Sequence, residues 1–347
     1  MSVSYFDEVK QQPAVLRDAV SAFVAQEKAL SDWLGAIHET GIQRVVMTAM
    51  GSSYNACYPA LLQLIEHGIT AILVDTSEML YYQQGWFTAD TLLIAVSQSG
   101  ESVEMVKLLA DCPADVPILG VTNTPASTLA QRANFVIEMH AGEEKTVSTK
   151  TYTTSLAVLT LLACVMTKGD LAAAAAGIRQ VADKIEQTLP IWEEQLSKLV
   201  LEIADSRFFA YLGRGPSLAS AQMGALIAKE SAKIPTQGCS VAHFRHGPIE
   251  MVEPGVCIVL FSGAPATREI NLLMAEELAR LGGTVILIGH IETVPANVIS
   301  VALPDADDGA LPLLEAIPVQ LLAGHLAEAR GIPAGTFRYI GKVTNRE

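Results

Sequence analysis

Short, uninterrupted apolar runs recur along the chain, and the segments between them are long enough to form helices. In the first half the runs cover residues 45–47, 71–74, 92–96, 118–121 and 135–137. The strands of a parallel sheet are buried on both faces, so they appear as apolar runs without the alternation of a half-exposed sheet. The sequence therefore predicts an α/β fold in which helices flank a parallel sheet.

The second half of the chain repeats this plan. Its apolar runs cover residues 208–213, 257–261, 284–288 and 298–303. Three pairs of corresponding residues are separated by 162, 163 and 168 residues: Gly51 and Gly213, Ser99 and Ser262, and Leu119 and Leu287. Such a near-constant offset indicates a duplicated domain. The alternative to duplication is that any two α/β domains show a similar alternation of strands and helices along the sequence.

These patterns divide the sequence into two α/β domains with helical flanks. We expect a helical segment at residues 1–33, a first domain at 34–170, a connecting helical segment at 171–205, a second domain at 206–335 and a tail at 336–347. The connecting segment is rich in alanine and then acidic, which favours a helix, but Pro190 interrupts it.

Composition narrows the class of protein. In a chain of 347 residues, 50% are hydrophobic and 17% are charged, which is ample material for large cores. The first residues lack the pattern of a signal peptide, and no apolar run reaches the roughly 18 residues of a membrane span. Five widely spaced cysteines, an odd number, read as reduced core thiols, so we expect a cytoplasmic protein.

The charge balance excludes one class of partner. The net charge is −14, from 23 basic and 37 acidic side chains, and no run of Lys or Arg could follow a nucleic-acid backbone. We therefore expect no nucleic-acid partner, and the lack of an apolar run of membrane length leads us to expect no membrane partner. A small anion would be held by oriented dipoles.

Residues 97–102, Ser-Gln-Ser-Gly-Glu-Ser, form a polar elbow between an apolar run and a helical pattern. Such an elbow directs backbone N–H groups and the positive end of a helix dipole at one point. Three hydroxyls and the amide of Gln98 surround that point, which suits a phosphate, although the elbow has no Lys or Arg. The alternative, a single serine that caps the helix, contributes about 1 kcal/mol but does not explain three serines.

Two further polar loops follow predicted strands or precede predicted helices. Ligands of parallel sheets bind beyond the carboxyl ends of the strands, so the loop at residues 51–53 should line the same cleft as the elbow. Ser53 either caps the helix predicted at 54–65 or joins the anion site. Residues 145–150 carry hydroxyls and two cations before a helix that runs to Met166, and they form either a third ligand loop or a solvated helix start.

Six motifs, taken together, resemble the sugar isomerase (SIS) family, and especially its tandem-domain members. The motifs are Gly51-Ser52-Ser53-Tyr54, Ser97-Gln98-Ser99-Gly100-Glu101-Ser102, Ser148-Thr149-Lys150, Leu212-Gly213-Arg214-Gly215, Ala228-Lys229-Glu230 and His246-Gly247-Pro248. Those members include the isomerase half of glucosamine-6-phosphate synthase, glucosamine-6-phosphate deaminases and fructosamine-6-phosphate deglycases. The resemblance covers residues 35–347. It implies two flavodoxin-like SIS domains, a bound sugar phosphate and a homodimer.

The resemblance also implies roles for individual residues. The residues that it implies for phosphate binding are Ser53, Ser97, Gln98, Ser99 and Ser102. Further substrate contacts are implied at Gly51, Ser52, Thr146, Val147 and Ser148. The region around Lys145 is one residue shorter than in the synthase, so individual contacts there do not transfer directly.

Three residues are implied for the chemistry. An aldose–ketose interconversion, or the loss of an amine from a sugar, needs one acid/base at C1 and C2 and another at the ring oxygen. The resemblance assigns the first role to Glu230, at the end of a helical run, and the second to His246, which would reach the site of the neighbouring subunit. A predicted loop at 235–238 connects them. Lys342, in the tail, would close over the open-chain sugar and could form a Schiff base.

Two features of the sequence argue against two related interpretations, synthase chemistry and a zinc site. Ile227 stands where the synthase pattern has a second Lys, which weakens the match to synthase chemistry. Cys239, His243 and His246 could ligate zinc, but a fourth ligand is not evident, so we expect no metal and no cofactor.

The sequence leaves three functions open. The chain begins Met1-Ser2, without the cysteine of a glutamine amidotransferase, so we do not expect synthesis from glutamine. The first hypothesis is a deaminase or deglycase of a 6-phospho amino sugar or fructosamine. The second is an aldose–ketose isomerase of a phosphosugar, which uses the same chemistry. The third is a non-catalytic phosphosugar sensor, which would not need Glu230, His246 and Lys342.

Overall fold

A parallel sheet of five strands forms the first half of the chain, as predicted. In the computed structural model, residues 3–344 are described, so residues 1, 2 and 345–347 of the predicted helical segment and tail lie outside the described part. The strands are β1 (Arg44–Ala49), β2 (Ala71–Asp75), β3 (Thr91–Val96), β4 (Ile118–Thr122) and β5 (Phe135–Glu138). They pair in the order β2-β1-β3-β4-β5, and all pairs are parallel.

Helices connect and flank these strands. They are α1 (Tyr5–Lys10), α2 (Gln12–Glu39), α3 (Gly51–Glu66), α4 (Thr76–Tyr82), α5 (Val103–Asp111), α6 (Thr128–Arg132), α7 (Lys150–Met166) and α8 (Leu171–Ile203). Strand β3 is buried along its whole length, and Met105, Leu108 and Leu129 of α5 and α6 belong to the core beside it. Burial of each such side chain contributes about 1.5 to 3 kcal/mol, which anchors both helices to the sheet.

The second half of the chain contains another parallel sheet of five strands. Its strands are β6 (Phe208–Gly213), β7 (Thr236–Ser240), β8 (Val256–Phe261), β9 (Thr284–Gly289) and β10 (Val298–Ala302), in the order β10-β9-β8-β6-β7. Its helices are α9 (Ser217–Ala232), α10 (Val241–Arg245), α11 (Pro265–Arg280) and α12 (Leu311–Ala329). Counted from its own first strand, this order is 2-1-3-4-5 read backwards, the flavodoxin-like order that the first sheet also has.

Strand β7 corrects the sequence analysis, which predicts a loop at residues 235–238. Residues Thr236–Ser240 pair with β6 at the edge of the sheet. Gly and Ser are poor strand formers, and only Thr236 and Cys239 of this strand are buried, so no apolar run marks it. Backbone pairing with β6 determines the strand where side-chain propensity does not.

Helix α8 corrects a second expectation. It runs without a break from Leu171 to Ile203, with Pro190 inside it, whereas the sequence suggests an interruption there. Buried side chains on both sides of the proline, including Leu189 and Trp192, pack in the core. This packing outweighs the local preference of proline to end a helix.

The contacts of the chain define two compact units. The first-sheet unit contains residues 14–144, 150–179 and the tail from Tyr339, and the second-sheet unit contains the residues up to Pro13, the short segment Lys145–Thr149 and residues 180–338. Within residues 3–344, none of the helices is both long enough and apolar enough to span a bilayer.

All five cysteines are free and buried, as predicted. Burial raises the pKa of the Cys57 and Cys257 thiols far above the usual value, and it raises the pKa of Cys112 to about 11. The thiols are therefore protonated at neutral pH and behave as small apolar side chains.

Candidate functional site

The serine elbow at residues 97–102 uses its own hydroxyls to hold its backbone. Ser97 Oγ accepts a hydrogen bond of 3.1 Å from the N–H of Gly100, and Ser99 Oγ accepts one of 3.1 Å from the N–H of Glu101. A hydroxyl group that accepts a bond in this way still has its proton to donate. The two serines are therefore fixed in place with O–H donors suited to an anionic oxygen.

Gly100 is required by the shape of the elbow. Its φ is +64°, in the left-handed region, and a Cβ there would lie 2.2 Å from Ser127 Oγ. The side chain of Glu101 is engaged by α6, since its carboxylate accepts a bond of 2.9 Å from Thr128 Oγ1 and another from the Thr128 N–H. The one acidic side chain of the elbow is thus already bonded to its neighbour.

Ser102 lies at the N-cap of α5 without capping it. Its backbone is extended, and among the described residues its side chain makes no capping bond to the helix. The N–H of Val103 instead donates to the carbonyl oxygen of Thr344, at 3.1 Å. The capping alternative therefore does not explain Ser102, and the tail contacts the first turn of this helix.

Gly51, Ser52 and Ser53, predicted as a loop before a helix at 54–65, form the first turn of α3 beside the elbow. Ala49 and Val96, the last residues of β1 and β3, are register partners in adjacent strands. Met50 is the N-cap of α3, so Ser53 lies within the first turn, where its side chain is buried, and does not cap the helix. The elbow and the first turn of α3 thus lie where the strand order of the sheet reverses, which is the usual ligand position of this architecture.

Lys342 of the tail pairs with a buried carboxylate in the same unit. Its Nζ forms an ion pair with Glu144, whose side chain is 0% exposed while that of Lys342 is 24% exposed. Glu144 also accepts bonds from the Thr151 N–H, at 3.1 Å, and from Thr151 Oγ1, at 2.6 Å. Burial alone would raise the pKa of Glu144, but the Lys342 ammonium and the Thr151 bonds outweigh it and lower this pKa.

The ion pair of Lys342 and Glu144 lies near the serine elbow, because the tail that carries Lys342 also contacts the first turn of α5. Lys342 is two residues from Thr344, whose carbonyl accepts from the first turn of α5, and two residues of chain span at most about 7 Å. Sequence analysis predicts Lys342 but misses Glu144. The structure brings the tail cation and the serine elbow to the same end of the first sheet.

Glu230 and His246 both belong to the second-sheet unit. Glu230 is half-buried in the last turn of α9, and Lys233 Nζ bonds to its carbonyl oxygen and, at 2.7 Å, to that of Thr336. His246 is exposed at the C-terminus of α10, and its backbone N–H donates to the His243 carbonyl at 3.0 Å. Each side chain is positioned by the end of a helix.

Thr146, Val147 and Ser148 also lie in the second-sheet unit. Val147 is buried and donates its N–H to the Gly335 carbonyl at 3.1 Å, whereas Thr146 and Ser148 are half-buried. The hydroxyl of Thr146 donates to the Glu8 carboxylate. This segment is therefore an ordered loop and not a solvated helix start.

The zinc alternative has no geometric support. Within residues 3–344, no three His, Cys, Asp or Glu side chains are close enough together to hold a metal ion. Cys239 is buried while His243 and His246 are exposed.

Comparison with known proteins shows which family model and which relatives match this sequence. The family model of the SIS domain matches residues 40–165 and 202–328. A glutamine--fructose-6-phosphate aminotransferase [isomerizing] from Pyrococcus horikoshii is 30% identical over 331 residues, which cover 93% of this chain and 54% of the relative. The chain thus spans about half the length of the curated relatives that it matches.

Two solved structures match the chain over almost its whole length. A glucosamine-6-phosphate deaminase from Thermotoga maritima has a TM-score of 0.81 and 19% identity, with 99% of both chains covered. A tagatose-6-phosphate ketose/aldose isomerase from Escherichia coli has a TM-score of 0.82 and 22% identity, with 97% of this chain and 96% of the isomerase covered. These structures share the fold, and since both domain matches together cover more than half of the sequence, this chain belongs to the SIS domain family.

Proposed function

We propose that this protein is an enzyme that removes the amino group of a 6-phospho amino sugar, as a deaminase of glucosamine 6-phosphate or a deglycase of a fructosamine 6-phosphate. The observation that carries the proposal is the serine elbow, in which the Ser97 and Ser99 hydroxyls accept bonds from the elbow's own backbone and keep their protons to donate. The tail cation Lys342 lies near this elbow. A phosphate and a carbonyl of the same small molecule would suit these two features.

The phosphate would be bound by hydroxyl and amide donors rather than by cations. Ser53, Ser97, Ser99 and Ser102 would donate O–H groups and Gln98 its side-chain N–H, at the positive end of α5. Hydrogen bonds to a charged group are about twice as strong as neutral ones, so a few of them replace an ion pair. This arrangement fits a chain whose net charge is −14.

The chemical step would be a proton transfer between C1 and C2 of the open-chain sugar. Glu230 would take the proton from one carbon and return it to the other, and His246 would move the proton of the ring oxygen when the ring opens. Lys342 would hold the open-chain carbonyl, either as an ammonium donor or as a Schiff base. The buried Glu144 holds the Lys342 side chain in place through their ion pair, which favours the role of Lys342 as an ammonium donor.

An aldose–ketose isomerase is the second candidate. The full-length match to a tagatose-6-phosphate ketose/aldose isomerase favours it, and the same acid/base residues would serve. A non-catalytic sensor is the third, and it would bind phosphosugars without converting them.

A panel of substrates distinguishes these candidates. The purified protein is incubated with phosphorylated amino sugars, fructosamines and ketohexoses, and ammonia, free amino acid and hexose phosphate are measured. Ammonia or amino acid release supports the first candidate, and interconversion without release supports the isomerase. Tight binding without any conversion would overturn both and favour a sensor.

The loss of one elbow hydroxyl should weaken phosphate binding. We expect Ser99→Ala to raise the Kd for fructose 6-phosphate by about 5- to 30-fold, because one bond to a charged group is lost. Calorimetry measures this change. Ser21→Ala is a control, since Ser21 is an exposed serine whose hydroxyl bonds to its own helix at Arg17. An unchanged affinity in Ser99→Ala would contradict the elbow as the phosphate site.

We also propose a homodimer in which His246 serves the site of the partner subunit. His246 is exposed at the end of a short helix, which is compatible with a role across an interface. If inactive Glu230→Gln and His246→Ala proteins exchange subunits, one site of each hybrid dimer regains both residues. We expect about a quarter of the wild-type activity in the mixture. A fully active monomer in sedimentation, or no recovery in the mixture, would refute the shared site.

We further propose a cytoplasmic location. The five free, buried thiols support it, because free cysteines persist in reducing compartments.

A further inference from the structure

A fully buried carboxylate on α1 holds the loop that precedes α7. Glu8 is 0% exposed. One of its oxygens accepts the N–H of Lys145 at 2.6 Å, and the other accepts the N–H of Thr146 at 3.3 Å together with the Thr146 hydroxyl. Three donors from two successive loop residues thus converge on one side chain of the N-terminal helix.

The next residue of the loop is also held by the protein. The N–H of Val147 donates to the carbonyl oxygen of Gly335, at 3.1 Å. Gly335 has a φ of +71°, and a Cβ there would lie 2.8 Å from Thr146 Cβ, so this contact requires glycine. The backbone N–H groups at 145, 146 and 147 are therefore all bonded inside the protein, and the loop has one defined conformation.

Helix α1 is itself fixed to the core beside the loop. Tyr5 donates its hydroxyl to the Gln320 carbonyl at 2.8 Å. Gln12, the first residue of α2, donates its Nε2 to the Val9 carbonyl of α1 at 3.1 Å and to Gln320 Oε1 at 2.6 Å. Val9 is 0% exposed. Glu8 therefore projects from a rigid support, which is what a residue that orients others needs.

We propose that Glu8 is a positioning residue: it sets the conformation in which Thr146, Val147 and Ser148 meet the phosphosugar. This inference rests on the proposed function for its substrate, and on the hydrogen bonds of Glu8 for its mechanism. Glu8 touches the loop and acts through it.

The geometry explains why a carboxylate is needed at this position. A carboxylate is an acceptor on both oxygens, and both are used. A glutamine has one oxygen and one NH₂ group, so in either orientation its NH₂ would face a backbone N–H of the loop. Glu8→Gln therefore breaks at least one bond and places two donors together, with almost no change in size.

Hydrogen exchange of the full chain tests the positioning without any ligand. We expect the amides of Lys145 and Thr146 to exchange about 10-fold faster or more in Glu8→Gln, with little change at the amides of β3. The control is Asp7→Asn, one residue away. Asp7 is exposed and belongs to the capping box of α1 with Ser4, so this variant removes a carboxylate charge from the same helix without removing a loop contact. Equal exchange in Glu8→Gln and wild type would overturn the proposal.

Ligand binding tests the consequence for substrate. In Glu8→Gln we expect the affinity for inorganic phosphate to stay within about 2-fold of wild type, because the elbow is intact, while kcat/KM for the active phosphosugar falls by about 10-fold or more. Asp7→Asn should keep wild-type kcat/KM. Unchanged kcat/KM in Glu8→Gln would overturn the role in substrate positioning.

Two further outcomes are decided by the same experiments. If Glu8→Gln does not fold, Glu8→Asp keeps the charge but withdraws it by one methylene, and the same faster exchange at Lys145 and Thr146 is expected. If wild type binds no phosphosugar, the proposed function fails and the substrate role of Glu8 fails with it. The exchange experiment would still decide whether Glu8 orders the loop.

Discussion

Replacement of Glu230 by glutamine should lower turnover by about 100-fold or more while substrate binding survives. Glutamine keeps the size and the hydrogen-bonding capacity of the side chain but cannot take a proton from carbon, and general acid–base catalysis contributes about 10² to 10⁴ in rate. Steady-state kinetics with the active member of the substrate panel measures kcat, and calorimetry measures the Kd. A matched control is Glu202→Gln, since Glu202 is an exposed carboxylate of α8.

The assignment of Glu230 as the base that moves a proton between C1 and C2 also predicts a kinetic isotope effect. Deuterium at the transferred position should slow the wild-type reaction if the proton transfer limits the rate. His246→Ala should impair a cyclic substrate more than an open-chain analogue, since ring opening is the step that His246 is proposed to serve. Wild-type turnover in Glu230→Gln with every substrate of the panel would exclude Glu230 as the catalytic base.

Replacement of Glu315 by glutamine should remove a large pH dependence of stability. Glu315 of α12 is 0% exposed, and the hydroxyls of Ser217 and Ser220 in the first two turns of α9 donate to its two oxygens at 2.7 and 2.6 Å. Burial raises the pKa of Glu315 to about 7, although the two hydroxyl bonds lower it in part. The folded protein thus holds this proton more tightly than the unfolded chain.

The sign of the effect follows from that difference. Below the unfolded pKa, near 4.5, the carboxyl group is protonated in both states and its full contribution to stability is present. As the pH rises towards 7 and beyond, the unfolded chain releases the proton more readily, and about 3 kcal/mol of stability is lost. Urea unfolding at pH 5, 6, 7 and 8 measures the free energy of unfolding.

Other groups of the protein also contribute to the pH dependence of stability. The effect of Glu315 is therefore measured as the difference in the free energy of unfolding between Glu315→Gln and wild type. The stability of Glu315→Gln relative to wild type should increase from pH 5 to pH 8 by about 3 kcal/mol, because glutamine carries no proton to lose. A difference that stays constant over this range would show that Glu315 does not titrate as its burial implies.

The parts of the structure that depend on local sequence were predictable. The elbow is one example, because the strand, the turn at Gly100 and the helix that follows are all determined within about a dozen neighbouring residues. The parallel sheets are another, since burial on both faces leaves apolar runs. Strand β7 was missed because its residues are defined by the neighbour with which they pair.

The candidate site was predictable only in part, for a similar reason. Glu144 pairs with a residue 198 positions away, and Glu8 accepts from residues 137 and 138 positions away. In the sequence both are ordinary carboxylates, and an isolated Glu is most often exposed. Only the fold buries them and supplies their partners, so no local pattern could identify them.

Under the proposed function, the attachment of the tail links the binding of a ligand at the elbow to the ordering of the tail. The carbonyl oxygen of Thr344 accepts a hydrogen bond from the N–H of Val103 at the start of α5, and Lys342 forms an ion pair with Glu144. An anion that binds the elbow only when the tail is docked favours the docked state, and the docked tail strengthens anion binding by the same factor. A substitution that weakens the Lys342 ion pair would thus appear in equilibrium measurements as a weaker phosphate site, even though every serine of the elbow is unchanged.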